Sequence, residues 1–496
     1  MSTTSSYSKH STRTTQILFV IFLIALAFRL WGVTNPLHDF TSWRQTLTAS
    51  FAQYFYEHGM NIFKPGNHVL NPLYAYEFPL YTYIVAIFYK LFGFNDIFGR
   101  LVAIAFGLGT LWMLFLLGKR FFDETTALIA CGIFAVLPFS VYYTRTFMPE
   151  SAMLFFSLAM LYGFTRWLDT DSWKFFILAS LCATLAFLIK LPTLYLGGPL
   201  LFLAWNKFRG ELFKQYKLYL FAFLILFPPA LWYTHVSNLQ YEAYGESNLW
   251  IGLLKNWEVL LTLRYWKLIF WTRLAEKMFA FTAFAFVVLG MLMPNKDREQ
   301  TVFHVWFASV CIYFVIAARL NFMHEYYQIP IIPVGCIFAG KYLSGFYHRN
   351  KEFEFKNNYK AWAVILMLVF IPPHSLYKLK NRLGYGDTYL KIGEKIREYS
   401  EVNDLIVGQD KFNPINETQY TSPQLFYFGQ RRGWGYAANH PLKPETLTKH
   451  IEDGATLYVM VRYDLKEMNP ELSTFLEKKH EFVYKDQNVT LFKLLR

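Results

Sequence analysis

Long apolar runs separated by short polar breaks recur along most of this chain, spaced as membrane-crossing helices would be. A helix needs about 20 mostly apolar residues to cross a bilayer. Runs approaching that length stand near 17–33, 97–118, 125–143, 151–168, 173–190, 192–206, 217–234, 277–293, 302–318, 326–345 and 360–373, those starting at 192 and 360 being short. The pattern predicts a polytopic α-helical membrane protein with about eleven spans. The stretch 79–92 is also apolar, but counting it as a span would put Lys119/Arg120 and Lys207 through Lys217 outside. It is therefore expected to lie in the outer interface as an amphipathic helix.

Charge then orients the spans. With residues 1–16 in the cytoplasm, Lys119/Arg120, Arg166/Lys174, Lys207 through Lys217, Lys296/Arg298 and Lys341 through Lys360 all fall on the inner side, as basic loops do in membrane proteins. Two long loops, 34–96 and 235–276, and the tail 374–496 are left outside. The tail alternates a charged helical run, Tyr389 to Ser400, with β-type runs at Leu405 to Gly408, Ala455 to Val461 and Asn488 to Leu494. That predicts a small extracytoplasmic α/β domain, following a transmembrane domain over 17–373. The expected location is the inner or plasma membrane, with the first span kept as an anchor because no small-residue cleavage site follows it.

Composition agrees with this reading. The chain is 54% hydrophobic and 20% aromatic with mean hydropathy +0.22, which excludes an ordinary soluble protein. Its net charge of +13 does not indicate nucleic acid as a partner, because the cations occupy short loops rather than one face. Cys131, Cys182, Cys311 and Cys336 all lie in apolar runs, giving neither a disulfide framework nor zinc-ligand spacing.

Candidate chemistry lies where the charge pattern breaks. Asp39 stands in Asn35-Pro36-Leu37-His38-Asp39-Phe40-Thr41-Ser42-Trp43-Arg44, just past the first span, and Glu150 ends Arg145-Thr146-Phe147-Met148-Pro149-Glu150 at the outer end of the third. Arg29, Arg145, Lys190 and Arg319 sit at or near outer span ends against the positive-inside rule. Charge at the centre of a spanning helix costs about 2.5–3.5 kcal/mol even on lenient scales, so a cluster of charge in or beside the spans marks function. Arg264, Lys267 and Arg273 of the second outer loop are further candidates to hold a phosphate. Arg44 and Glu77 belong to the first loop, and His324 beside Glu325 could act as a base or ligand. No matching His/Asp/Glu set and no Asp-x-Asp pair accompanies them on the outer face, so neither a cofactor nor a divalent metal is expected.

The order of an early loop Asp, then Glu77-Phe78-Pro79-Leu80-Tyr81, then Phe92-Gly93 with Gly99-Arg100-Leu101, then Arg145 with Met148-Pro149-Glu150, resembles GT-C glycosyltransferases of the protein-mannosyltransferase and aminoarabinose-transferase type. The likeness covers roughly 17–345, and the tail segment Ser422 to Trp434 is similar to C-terminal segments of bacterial members. The resemblance implies a polyprenyl-phosphate sugar as donor and a hydroxyl acceptor on a glycan, lipid or protein at the outer face. It also implies inversion at the anomeric carbon and Asp39 as catalytic base. Protein mannosyltransferases carry an Asp-Glu pair where His38-Asp39-Phe40 offers one acid, which weakens protein as acceptor. Many relatives have Asp at the position of Glu150, leaving that residue a substrate-positioning role. A lipid-linked glycan flippase would show symmetric halves and broken midplane helices, and a non-catalytic assembly subunit would lose the acid.

Overall fold

The computed structural model describes residues 2–70, 77–244, 257–349, 359–384, 386–410, 422–437, 442–462 and 469–495. The chain forms two compact units, each assembled from three stretches: 1–33, 100–235 and 248–381 in the first, and 34–99, 236–247 and 382–496 in the second.

The first unit is helical. Among the described residues six helices are long and apolar enough to cross a membrane, including Thr12–Leu30, Ile97–Phe121, Glu150–Thr170 and Tyr216–Leu239. A seventh is counted if Leu263–Met278 and Thr282–Leu292, bent by 111°, make one span. Several of the eleven apolar runs are thus not single helices. The run 125–143 divides into Glu124–Val136 and Pro138–Tyr143, because Pro138 has no N–H to continue the ladder. The run 192–206 opens with a 3₁₀ segment, Leu191–Leu196, before the short helix Gly197–Phe208. The run 277–293 starts inside a π-helical stretch, Lys267–Met278, and turns at Ala280 and Phe281, both left-handed with φ of 52° and 55°. The run 326–345 begins in the 3₁₀ turn Glu325–Gln328 and becomes helical at Ile331. Apolar runs report burial, and burial does not require an unbroken helix.

One packing detail positions chemistry. Helices Glu150–Thr170 and Trp173–Ile189 pack against each other, and a Cβ on Gly163 would stand 3.0 Å from the Ala179 backbone nitrogen. Gly163 lies 13 residues after Glu150, and Ala179 lies 11 before Lys190. At 1.5 Å per residue those arms are about 20 and 17 Å long, so this antiparallel pair delivers Glu150 and Lys190 to nearly the same height.

The second unit holds a five-stranded sheet: β1 Leu405–Asp410, β2 Arg432–Ala437, β3 Ala455–Val461, β4 Glu481–Lys485 and β5 Val489–Lys493, in the order β2-β1-β3-β5-β4. The first three are parallel, and β5 runs antiparallel to β3 and β4. Ile392, Ile396, Leu425 and Phe426 share one buried cluster with Ile406, Leu457 and Val459. Leu447, Ile451, Leu472 and Leu476 share another with Val407, Tyr458 and Met460. Alternating strand residues therefore feed two separate cores, one on each face, which makes the tail the α/β domain that its pattern predicts. The helix preceding it, Tyr359–Leu383, continues past 373. The first loop adds to this sheet: Leu70 N–H donates to Gly433 O (2.8 Å) and Gly433 N–H to His68 O (3.1 Å), covering the outer edge of β2. Only glycine fits at 433, where a Cβ would come within 1.8 Å of Ile406 O.

Candidate active site

In the first unit Glu150 opens its helix and Lys190 ends the next. Their side chains are almost fully buried and pair at 3.0 Å. A carboxylate at a helix N-terminus is favoured by the helix dipole, and the ammonium offsets the cost of burying it. Lys190 Nζ also lies 5.5 Å from the Tyr326 ring and 5.2 Å from the Tyr327 ring, within cation–π range. His324 stacks on Tyr326 with centroids 5.1 Å apart and planes 19° apart. Glu150, Lys190, Tyr195, Tyr313, Tyr326 and Tyr327 contribute to the lining of a narrow pocket of about 10 Å³, room for about one water molecule. Two separately nominated residues, Glu150 and Lys190, are thus brought together, and a third, His324, packs against the Tyr326 ring behind them. The tyrosines are the part that sequence reasoning missed, although the doublet Tyr326-Tyr327 directly follows the nominated His324-Glu325.

The other nominated cations have different surroundings. Arg273 is buried and donates from both terminal nitrogens to backbone carbonyls, to Asn321 O and, at 2.9 Å, to Phe322 O. Arg264, exposed, stands 5.6 Å over the Phe322 ring. Both therefore converge on the short helix Ala318–Met323, which carries Arg319 at a half-buried position, while Lys267 is exposed. Arg145 is fully buried and donates to Arg29 O (3.1 Å) and Gly32 O (2.8 Å). Arg100 donates to Val33 O (3.0 Å). These guanidinium groups take up carbonyls at the end of the first helix, which lack partners within it. Arg29 itself donates to Thr144 Oγ1 (2.7 Å), Ser140 Oγ (3.1 Å) and two carbonyls.

Asp39 lies in the second unit and is fully buried. The helix that follows, Ser42–His58, has Thr41 rather than Asp39 at its N-cap, and Asp39 meets it through its backbone carbonyl, which accepts from Ser42 N–H at 2.8 Å. The adjoining Phe40 N–H donates to Arg382 O (2.9 Å), and the Arg382 guanidinium covers the Phe40 ring at 4.7 Å. Arg44 and Glu77 form a salt bridge. His68 is buried, and burial, with Arg432 and His58 nearby, pushes its imidazole down to about 3.

Residues 72–233 match the family model of dolichyl-phosphate-mannose-protein mannosyltransferases. Over its length the chain is similar in structure to ArnT from Cupriavidus metallidurans bound to undecaprenyl phosphate, with TM-score 0.64, 14% identity and 98% of each chain covered. The archaeal oligosaccharyltransferase AglB from Archaeoglobus fulgidus, in complex with an inhibitory peptide and a dolichol-phosphate, matches with TM-score 0.57 and 11% identity, over 97% of this chain and 74% of that one. An uncharacterized protein of Aquifex aeolicus (strain VF5) is 24% identical over 300 residues, which is 59% of this chain and 58% of that relative's length.

Proposed function

This chain has the GT-C glycosyltransferase fold, and we propose that it moves a sugar from a polyprenyl-phosphate donor to a hydroxyl acceptor on a glycan, glycolipid or protein at the outer face of the membrane. The acceptor oxygen bonds to the anomeric carbon from the side opposite the phosphate, the carbon–phosphate-oxygen bond breaks, and configuration inverts. Asp39 takes the acceptor proton, and the polyprenyl phosphate departs as an anion. Such a leaving group needs no strong general acid, only cations to hold it.

The observation that carries this reading is the pocket around Lys190, where a buried ammonium meets aromatic walls. A charged hydrogen bond from Lys190 to phosphate is worth about 1.5–3 kcal/mol, and tyrosine faces suit a sugar ring. ArnT, of the same fold, was solved with undecaprenyl phosphate bound, which supports a lipid of that class as the donor's carrier. The reading includes no metal.

The test is Asp39→Asn, purified and assayed with a native polyprenyl-phosphate sugar. Loss of a general base removes about 10² to 10⁴ in rate, with unfolding temperature near that of the wild type because the amide is nearly isosteric. Near-normal turnover would move the base to another acid, Glu150 first. The wild-type enzyme should stay active in chelator, and activity abolished there and restored by manganese or magnesium would overturn the metal-free mechanism.

A further inference from the structure

Glu325 is a buried carboxylate that does not line the pocket, yet the next two residues in the chain do. Its Oε1 accepts from Tyr143 Oη at 2.8 Å, and its Oε2 accepts from Lys277 Nζ at 3.1 Å. Tyr143 ends the helix Pro138–Tyr143, Lys277 belongs to the π-helical stretch Lys267–Met278, and Glu325 starts the 3₁₀ turn Glu325–Gln328. One carboxylate therefore ties three elements together. Burying it is costly unless its oxygens are satisfied, so the turn has a strongly preferred position. Further along, Gln328 Nε2 donates to Asn321 O at 2.8 Å, the same carbonyl that accepts from Arg273.

We propose that Glu325 is the positioning residue of this pocket, holding Tyr326 and Tyr327 over Lys190 and so setting how well the ammonium meets an anionic ligand. The inference rests on the reading of the pocket as the place of the donor phosphate. The Lys190 charge is shared between Glu150 at 3.0 Å and two ring faces at 5.2 and 5.5 Å. Attraction to a ring face weakens steeply over a further ångström or two. A turn released at residue 325 would swing both rings, leave Lys190 more tightly held by Glu150, and widen the pocket. Neither Glu325 oxygen need touch the reacting atoms for this to matter.

The test uses full-length protein in detergent with undecaprenyl phosphate as the binding probe, followed by turnover with a polyprenyl-phosphate sugar. Glu325→Ala is expected to weaken probe binding by about tenfold or more and to raise the donor KM, with kcat at saturating donor within a few-fold of wild type. Glu325→Gln keeps an acceptor for Tyr143 and loses the ion pair, so its loss should be intermediate. Tyr143→Phe should weaken binding alone but add nothing to Glu325→Ala, since both remove the same tie. Should Glu325→Ala fail to fold, the other two single variants decide the matter. Wild-type affinity in the folded variants, or a fall in kcat with unchanged KM, overturns the proposal. A wild-type protein that does not bind undecaprenyl phosphate overturns the pocket reading beneath it.

Discussion

Buried charge decides how single residues behave here. Glu150 and Lys190 are each other's compensation at 3.0 Å, so Lys190→Met should cost about 3–5 kcal/mol by leaving a buried carboxylate uncompensated. Adding Glu150→Gln removes that charge and should recover most of the loss, while binding of polyprenyl phosphate stays weak. Unfolding of the single and double variants in detergent checks this, and equal stability of wild type and Lys190→Met would show that the pair does not support the fold. The sequence announced Lys190 through its position against the basic-inside pattern and Glu150 as a carboxylate at an outer span end. It could not distinguish Lys190 from Arg145, which breaks the same pattern but serves backbone carbonyls at the end of the first helix. A charge at a membrane edge reveals only that something compensates it, and whether a ligand or a helix end does so is a matter of geometry.

Elements were legible where their period was regular. The apolar runs at Leu405, Ala455 and Asn488 correspond to β1, β3 and β5, because strands buried on both faces read as continuous apolar stretches. β2, Arg-Gly-Trp-Gly-Tyr-Ala, alternates with glycine and carries no such signal, and its neighbour from the first loop is more remote still. The bent π-helical pair was unreadable for a different reason: Ala280 and Phe281 are not residues that advertise a left-handed backbone. The strand addition at 68–70 makes a pH prediction. His68 has an ordinary unfolded value near 6.5 and a folded one of about 3, so the neutral ring is the one the fold accommodates. Its contribution is complete above pH 6.5 and drains as pH falls toward 3, by at most about 1.4 kcal/mol per pH unit. Amide exchange near 68–70 and 432–434, corrected for intrinsic rates, should quicken between pH 7 and 5.5. His68→Phe should remove that dependence, and an unchanged pH profile in the variant would assign it to another group.

For the molecule as a whole, the charge rhythm makes a statement about sides: residue 1, Lys207 and the other basic loops inside, the first loop and tail outside. Lys64, Lys207 and Thr448 are exposed, and of the native cysteines three are buried and Cys311 is partly buried, so single introduced thiols can be read against a low background. Impermeant maleimide applied to spheroplasts should label cysteines at positions 64 and 448 and spare one at 207; protection at 64 or 448, or labelling at 207, would reverse the assignment. The pairing of 68–70 with Gly433 also sets an order of events in time. A ribosome has made more than 360 further residues after Val69 before its partner exists. Until residue 433 has emerged the loop bearing the proposed base lacks that neighbour, and a nascent chain ending short of 433 leaves that join unmade.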